Sequence, residues 1–261
     1  MQLETQFSSR EEMTSYLAAQ LEGLYSTEAI PNKIRGGRRA ALEQLENFKA
    51  NGYGKRNFVQ SNTSRLSAYL RHGVLLVVEV AAHVRRHAQG REKLEFLKQL
   101  AWHEFFLLVL EQEGAGVLEN LEAPKYAARW QTQMPEDILE AQTGLPCVDT
   151  WVAKLIDNGY LHNHERLWFA AYVTHWRKTH WKAGFDFFRE HLLDGDIASN
   201  ALSWQWVAST FSSKPYFMNQ QNIQTFSSDA YCSSCHAVCP FRKSYPDLER
   251  SLFGQDYGWS S

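Results

Sequence analysis

Three cysteines, Cys232, Cys235 and Cys239, fall within eight residues in the run YCSSCHAVCP. Their C-x2-C-x3-C-P spacing matches the last three ligands of a ferredoxin-type sequence, and thiolates are what soft iron-sulfur centres require. Cys147, in TGLPCVD, is the remaining cysteine and the candidate fourth ligand. A [4Fe-4S] cluster is the first expectation, a tetrahedral zinc site using Cys147 or His236 the second, and uncoordinated thiols the third. In a reducing compartment such thiols read as metal ligands before they read as disulfides.

A second group lies in LLDGDIASNALSWQWVAS, residues 192–209, where Asp194 and Asp196 are followed closely by Trp204 and Trp206. Acids favour water and indoles favour burial, so one segment carrying both is expected at the lip of a buried cofactor pocket. Upstream, Asn163 and Arg166 stand three apart in YLHNHERLWFAAYVTHWRKTHW and share a helical face. Pairing of Arg166 with Asp194 or Asp196 would let those acids tolerate aromatic surroundings; an exposed ion pair is the equal alternative. In NTSRLSAYLRHG, Thr63, Ser64 and Ser67 surround a helix start, with Thr63 or Ser64 as its cap. Such a start serves either as ordinary capping or as an anion site.

The elements that must position these groups read as helices. Apolar residues recur at helical spacing in REEMTSYLAAQLEGLY, RRAALEQLENFK, KLEFLKQLAWHEFFLLVLEQ, VDTWVAKLIDNGY and HERLWFAAYVTHWRK, and no run alternates with period two. Gly36-Gly37 precede a basic helix start, Gly73 follows SAYLRH, and Asn158-Gly159 closes VAKLID. Residues 51–67 and 211–240 are expected to be long irregular stretches, which in a compact domain are usually functional. No repeat or linker interrupts the chain. An all-α, single helical domain over residues 1–261 is expected, with the cysteine-rich segment from about 227 to 261 packed on it.

With 27 basic and 29 acidic residues the net charge of -2 offers nucleic acid no global attraction, so DNA binding would need a local patch. The N-terminus lacks a targeting pattern and no stretch is apolar enough to span a bilayer. A cytoplasmic location and no membrane partner are expected. Nine Trp, eleven Tyr and fifteen Phe make aromatics the unusual part of the composition, so their placement matters.

TSRLSAYL, TGLPCVD, YLHNHERL, DGDIASNALSWQW and KPYF occur in the order, and at roughly the spacing, of the flavin-binding domain of the DNA photolyase and cryptochrome family. The chain resembles that domain from about Gly36 to about Phe217. The resemblance implies a bundle-like helical domain holding FAD folded into a U. It puts Tyr53 and the turn of Thr63, Ser64, Arg65, Leu66 and Ser67 on the pyrophosphate side. It places Asn163 and Arg166 beside the flavin with Arg166 paired to Asp194, Asp196 at the flavin's polar edge and Asn200 facing N5. Trp204, Trp181 and Trp130 resemble the family's electron-carrying chain, whereas Trp206, Trp168 and Trp176 are expected to be core residues only.

EFLKQLAWHEFF resembles the family's substrate helix, with Trp102 where a tryptophan packs on a pyrimidine pair flipped from the duplex. Gln99 stands where repair enzymes usually have glutamate, and Phe96 replaces a second tryptophan. One photolyase subgroup carries an iron-sulfur cluster built as the cysteines here are arranged. The chain resembles a short member that starts almost directly at the flavin domain, without an antenna domain. The implied activity is blue-light repair of UV-damaged DNA: reduced, excited flavin passes an electron to a pyrimidine dimer, splits it and recovers the electron. Single strands should be preferred, since they cost less to unstack. The alternative is a cryptochrome-like photoreceptor read by a signalling partner. Gln99 favours signalling, and Asn200 and Trp102 favour repair.

Overall fold

A computed structural model describes residues 3–24, 34–126 and 129–254. The sequence reads as one domain; the chain forms two compact units, residues 1–34 and 35–261. In the first, helix α1 (Arg10–Gln20) starts at Ser9, whose side chain accepts a hydrogen bond from the Glu12 amide. Nothing in this helix is buried.

The second unit contains α2 (Arg38–Asn47), α3 (Ser67–Arg71), α4 (Val77–His87), α5 (Gly90–Glu113), α6 (Glu136–Leu139), α7 (Pro146–Asn158), α8 (Asn163–Ala171), α9 (Trp181–His191), α10 (Ile197–Ala208), α11 (Gln220–Phe226) and α12 (Tyr245–Phe253). Among the described residues there is no strand, only an isolated bridge between Gln131 and Thr179. No described helix is long and apolar enough to cross a membrane.

Local chemistry sets the helix ends. Pro146 opens α7, where its missing N–H costs nothing, and Gly159 closes it in the left-handed conformation. His162 and Glu165 form a reciprocal capping box at the start of α8. Asp196 caps α10 by accepting from the Ser199 amide at 2.8 Å. The sequence-based expectation of a Thr63 or Ser64 cap is corrected: α3 begins at Ser67 with Leu66 as its N-cap, because Arg65 turns the chain through a positive φ of 52°. The stretch 211–240 is not wholly irregular either, since Asn219 caps the short α11.

The core collects between α7, α8, α9 and α10, where Trp151, Trp168, Trp181, Trp204, Phe169 and Phe185 are fully buried. Of the tryptophans expected to be core only, Trp168 is buried, but Trp206 is 42% exposed and lies over Tyr216 with ring centroids 5.5 Å apart. That corrects the expectation for Trp206. Helix α8 runs on into a π-helical turn, Tyr172–Trp176, which carries the buried His175. The amide of Val59 donates to the Phe226 carbonyl at 2.8 Å, and His164 Nδ1 meets the Asn57 carbonyl at 2.7 Å. These bonds tie the loop before α3 to α8 and to the end of α11.

Closest packing occurs where α9 meets α10. A Cβ placed on Gly184 would lie 2.1 Å from Cη2 of Trp204, so the outer end of the indole's six-membered ring rests on the bare backbone of α9. Gly184→Ala should gain about 1 kcal/mol of helix propensity yet lose more by overpacking a rigid, buried ring, which typically costs about 1–3 kcal/mol. A thermal melt should show net destabilisation with an altered near-UV tryptophan signal; a stabilised variant with an unchanged spectrum would mean Trp204 has room to move.

The cysteine-rich segment packs on the same core. Phe241 is buried edge-on beneath Trp176, with centroids 5.0 Å apart. Tyr231, next to Cys232, stands edge-on to Trp151 and hydrogen-bonds buried Glu165, which also pairs with Lys154 at 2.8 Å. Residues 255–261 of that segment lie outside the described residues.

Candidate functional site

Helices α5, α8 and α10 and the turn before α3 enclose a cleft of two adjoining lobes, about 310 and 220 Å³. Its polar centre follows from helix geometry. Asn163 and Arg166 project from one face of α8, and the α9–α10 connection brings Asp194 and Asp196 against them. Arg166 Nη2 donates to Asp194 Oδ2 at 3.0 Å, and its Nε donates to the Leu161 carbonyl at 2.8 Å. Burial works to raise the Asp194 carboxyl, but the charge and hydrogen bond of Arg166, helped by Ser67, outweigh it and hold Asp194 below its ordinary value. The partner expected for Arg166 is thus Asp194, while Asp196 spends one oxygen on capping α10.

The first lobe is walled by Leu167, Ala170, Phe188, Trp204 and Phe106, with Asn200 and Ser203 as polar points. Asn200 donates its amide to the Phe185 carbonyl at 3.0 Å, which orients the carboxamide and leaves its Oδ1 as the acceptor for a ligand. Gln99 and Trp102 of α5 form the mouth; Trp102 is 54% exposed and clusters with Phe105 and Phe106. The second lobe is lined by Tyr53, Ser64, Leu66, Ser67, Phe96 and Arg71, and it shares Arg166, Asp194 and His103 with the first. Burial raises the Tyr53 phenol to about 12, so it meets the lobe as a neutral donor.

Two expected residues do not line the cleft. Thr63 instead meets Tyr160 Oη at 3.3 Å, and Arg65 lies over the Tyr160 ring at 5.3 Å. They brace the turn from behind. Sequence reasoning missed His103, Phe106, Phe188, Ser199 and Arg71. For the first two a signal existed, since His103 and Phe106 follow Trp102 on an exposed helix and Phe106 falls one turn on.

Two more of the expected tryptophans, Trp181 and Trp130, lie outside the lining of the cleft. Trp181 lies one turn before Gly184 on the face of α9 that meets Trp204. Its Nε1 donates to Asn120 at 2.6 Å. The His180 ring neighbours both indoles, 5.4 Å from Trp181 and 5.0 Å from Trp130.

Cys147 lies buried in the first turn of α7 while Cys232, Cys235 and Cys239 are partly exposed, and all four are free thiols. Burial raises Cys147 to about 12, and the three other cysteines push it the same way through their charge, which places all four within electrostatic reach of one another. Among the described residues no three His, Cys, Asp or Glu side chains converge as a single-ion metal site.

The fold and sequence have known relatives. The deoxyribodipyrimidine photo-lyase of Halobacterium salinarum is 33% identical over 205 residues, covering 72% of this chain and 42% of that protein. That of Escherichia coli is 31% identical over 193 residues, covering 69% and 41%. The chain therefore spans about two-fifths of the length of these relatives. Among solved structures, the Synechocystis cryptochrome superposes with a TM-score of 0.68 at 22% identity, over 76% of this chain and 46% of that one. An archaeal photolyase from Sulfolobus tokodaii gives 0.65 at 24% identity, over 82% and 50%. The family profile described as the FAD binding domain of DNA photolyase matches residues 96–244, more than half of the chain, and the chain belongs to that family.

Proposed function

We propose that the cleft binds FAD and that the protein uses blue light to repair pyrimidine dimers in DNA, with single strands preferred. The observation that carries the reading is the buried Arg166–Asp194 pair at the junction of the two lobes, with Asn200 and Trp204 on one wall and Trp102 at the mouth. The residues fit the cofactor. The apolar wall of Leu167, Ala170, Phe188 and Trp204 suits an aromatic ring system, and the hydroxyls of Ser64 and Ser67 with Arg71 and Arg166 suit a pyrophosphate.

Bound FAD supplies a light-absorbing centre that exchanges single electrons. Arg166, fixed by Asp194 and Leu161, orients it, while Asn200 presents an acceptor toward it. Phe188 and Phe106 exclude water. Trp102 and Phe106 offer stacking faces to unpaired bases, worth roughly 1–3 kcal/mol per base. Gln99 adds a donor and an acceptor beside them. Trp204, on the wall of the cleft, would be the electron donor to an oxidised, light-excited cofactor, with Trp181 and then Trp130 as the residues that would re-reduce it.

The test is illumination of reduced protein with dimer-containing oligonucleotides, single- and double-stranded, counting restored pyrimidines. Repair that is faster on single strands and lost in Trp102→Ala is expected. In the same preparation Trp204→Phe should sharply slow photoreduction of the oxidised cofactor. No repair on either substrate, with the cofactor bound and reduced, would leave the second reading: a cryptochrome-like photoreceptor whose redox change a signalling partner reads. Gln99, an amide in the wall where an acid would serve repair, favours that reading.

The four cysteines are proposed to hold a [4Fe-4S] cluster, with zinc as the rival. A cube of four irons holds its thiolates at separate corners, so the ligands need not meet at one ion. The Tyr231–Glu165–Lys154 bonds press the trio toward the helix that bears Cys147. Anaerobically purified protein should contain iron and sulfide, and Cys147→Ala should lose most of both. Zinc without iron selects the rival, and no metal at all selects free thiols.

A further inference from the structure

We propose that Tyr126 is an electron donor to Trp130 in this protein's light reaction, and that its phenolic proton passes to Nδ1 of buried His175 as the electron leaves. The inference rests on the flavin reading above. It goes beyond the three tryptophans of that reading because the Tyr126 ring stands edge-on to Trp130 at 6.2 Å. Trp130 is not placed there by side-chain packing alone. The Gln131 amide donates to the Lys178 carbonyl and the His180 amide donates to the Gln131 carbonyl, each at 2.8 Å. The isolated bridge of the fold thus pins Trp130 against His180, and the Tyr126 ring stands against the same indole.

Tyr126 is built to lose a proton together with an electron. Its Oη lies 3.0 Å from His175 Nδ1, and His175 Nε2 lies 3.2 Å from the Val207 carbonyl. A carbonyl can only accept, so Nε2 carries the hydrogen, Nδ1 carries the lone pair, and the phenol donates. Both residues are buried and Phe253 covers the pair, with ring centroids 4.8 Å from Tyr126 and 5.1 Å from His175. Burial depresses His175 to about 3, so the acceptor nitrogen is free at any ordinary pH.

The step balances. Photo-excited oxidised flavin is the oxidant, and Trp204, Trp181 and Trp130 pass the electron deficit outward. Tyr126 gives one electron to the Trp130 radical cation and one proton to Nδ1, leaving neutral Trp130, a neutral tyrosyl radical and an imidazolium. An oxidised phenol is a strong acid, so even a weakly basic imidazole takes its proton. The charge left on His175 is costly where it is buried, so the proton returns when the radical is reduced. Until then recombination must wait for a proton as well as an electron.

The experiment is pulsed oxidation followed by electron paramagnetic resonance. Holoprotein is excited through its flavin, and a parallel sample is oxidised from outside by a ruthenium–bipyridyl photo-oxidant with persulfate. A tyrosyl radical in the wild type, absent in Tyr126→Phe and slower to form in deuterated water, is the expected result. A tryptophanyl radical alone in both proteins overturns the proposal. If only the ruthenium oxidant yields the Tyr126-dependent radical, the Tyr126–His175 couple stands and the flavin reading falls. Nitrogen-15 NMR of the dark protein is the independent check: Nδ1 must be unprotonated, and a protonated Nδ1 overturns the assignment of His175 as acceptor.

Discussion

Arg166→Ala is expected to empty the cleft of FAD and to destabilise the protein by about 3–5 kcal/mol, the usual cost of stranding one member of a buried ion pair. Asp194 has a side chain only 7% exposed, and Arg166 supplies both the charge and the hydrogen bond that keep it ionised. Without the guanidinium, burial is opposed only by the lesser hydrogen bonds of Ser67 and of the Asp194 backbone, and the carboxyl moves upward. The Leu161 carbonyl would lose its donor as well. Denaturant titration and the flavin-to-protein ratio measure the two effects separately. The double variant Arg166→Leu with Asp194→Asn removes the stranded charge and should recover most of the stability without the cofactor. Full flavin occupancy in Arg166→Ala would remove the pair from the centre of the site.

Acid should weaken the protein well before its carboxylates titrate. His175 is depressed to about 3 and His162 to about 4, in both cases chiefly by burial. Both folded values lie below that of an unfolded histidine, near 6.5, so below that pH the unfolded chain takes up protons the folded chain refuses. Stability from these two groups is fully present above pH 6.5 and declines as pH falls, by about 1.4 kcal/mol per unit for each histidine. By pH 5 the two together should have removed roughly 4 kcal/mol. Asp194, also depressed, loses its contribution only at lower pH still, as pH falls through its folded value. Urea midpoints at pH 7, 6 and 5 test this, and His162→Asn should reduce the slope. An unchanged midpoint from pH 7 to 5 would mean that neither imidazole is held neutral.

Much of the site was legible because its residues sit on regular helices. Asn163 and Arg166 share a face by spacing alone, and five quoted segments carried the order of the family's motifs. Gly37, Gly73 and Gly159 ended or opened helices where their backbone freedom suggested. What failed depended on partners distant in sequence. Trp206 read as core because indoles favour burial, yet α10 already commits its inner face to Trp204, which leaves Trp206 at the rim. Thr63 looked like a cap because nothing in the sequence shows that Arg65 reverses the backbone before α3 begins. The contact of His180 with Trp130 needed the bridge at Gln131, a pairing across about fifty residues that no local pattern encodes.

The bond between the Val59 amide and the Phe226 carbonyl also bears on the order of assembly during synthesis. The backbone on which the loop carrying Tyr53 docks leaves the ribosome well over a hundred residues after that loop. Such non-local closures are slow, and until they form the aromatic wall of the cleft is open to aggregation. The second lobe is therefore finished only after translation has passed α11. Cofactor loading becomes an event that waits for α11, and a ribosome stalled before Phe226 displays a pocket with one side missing.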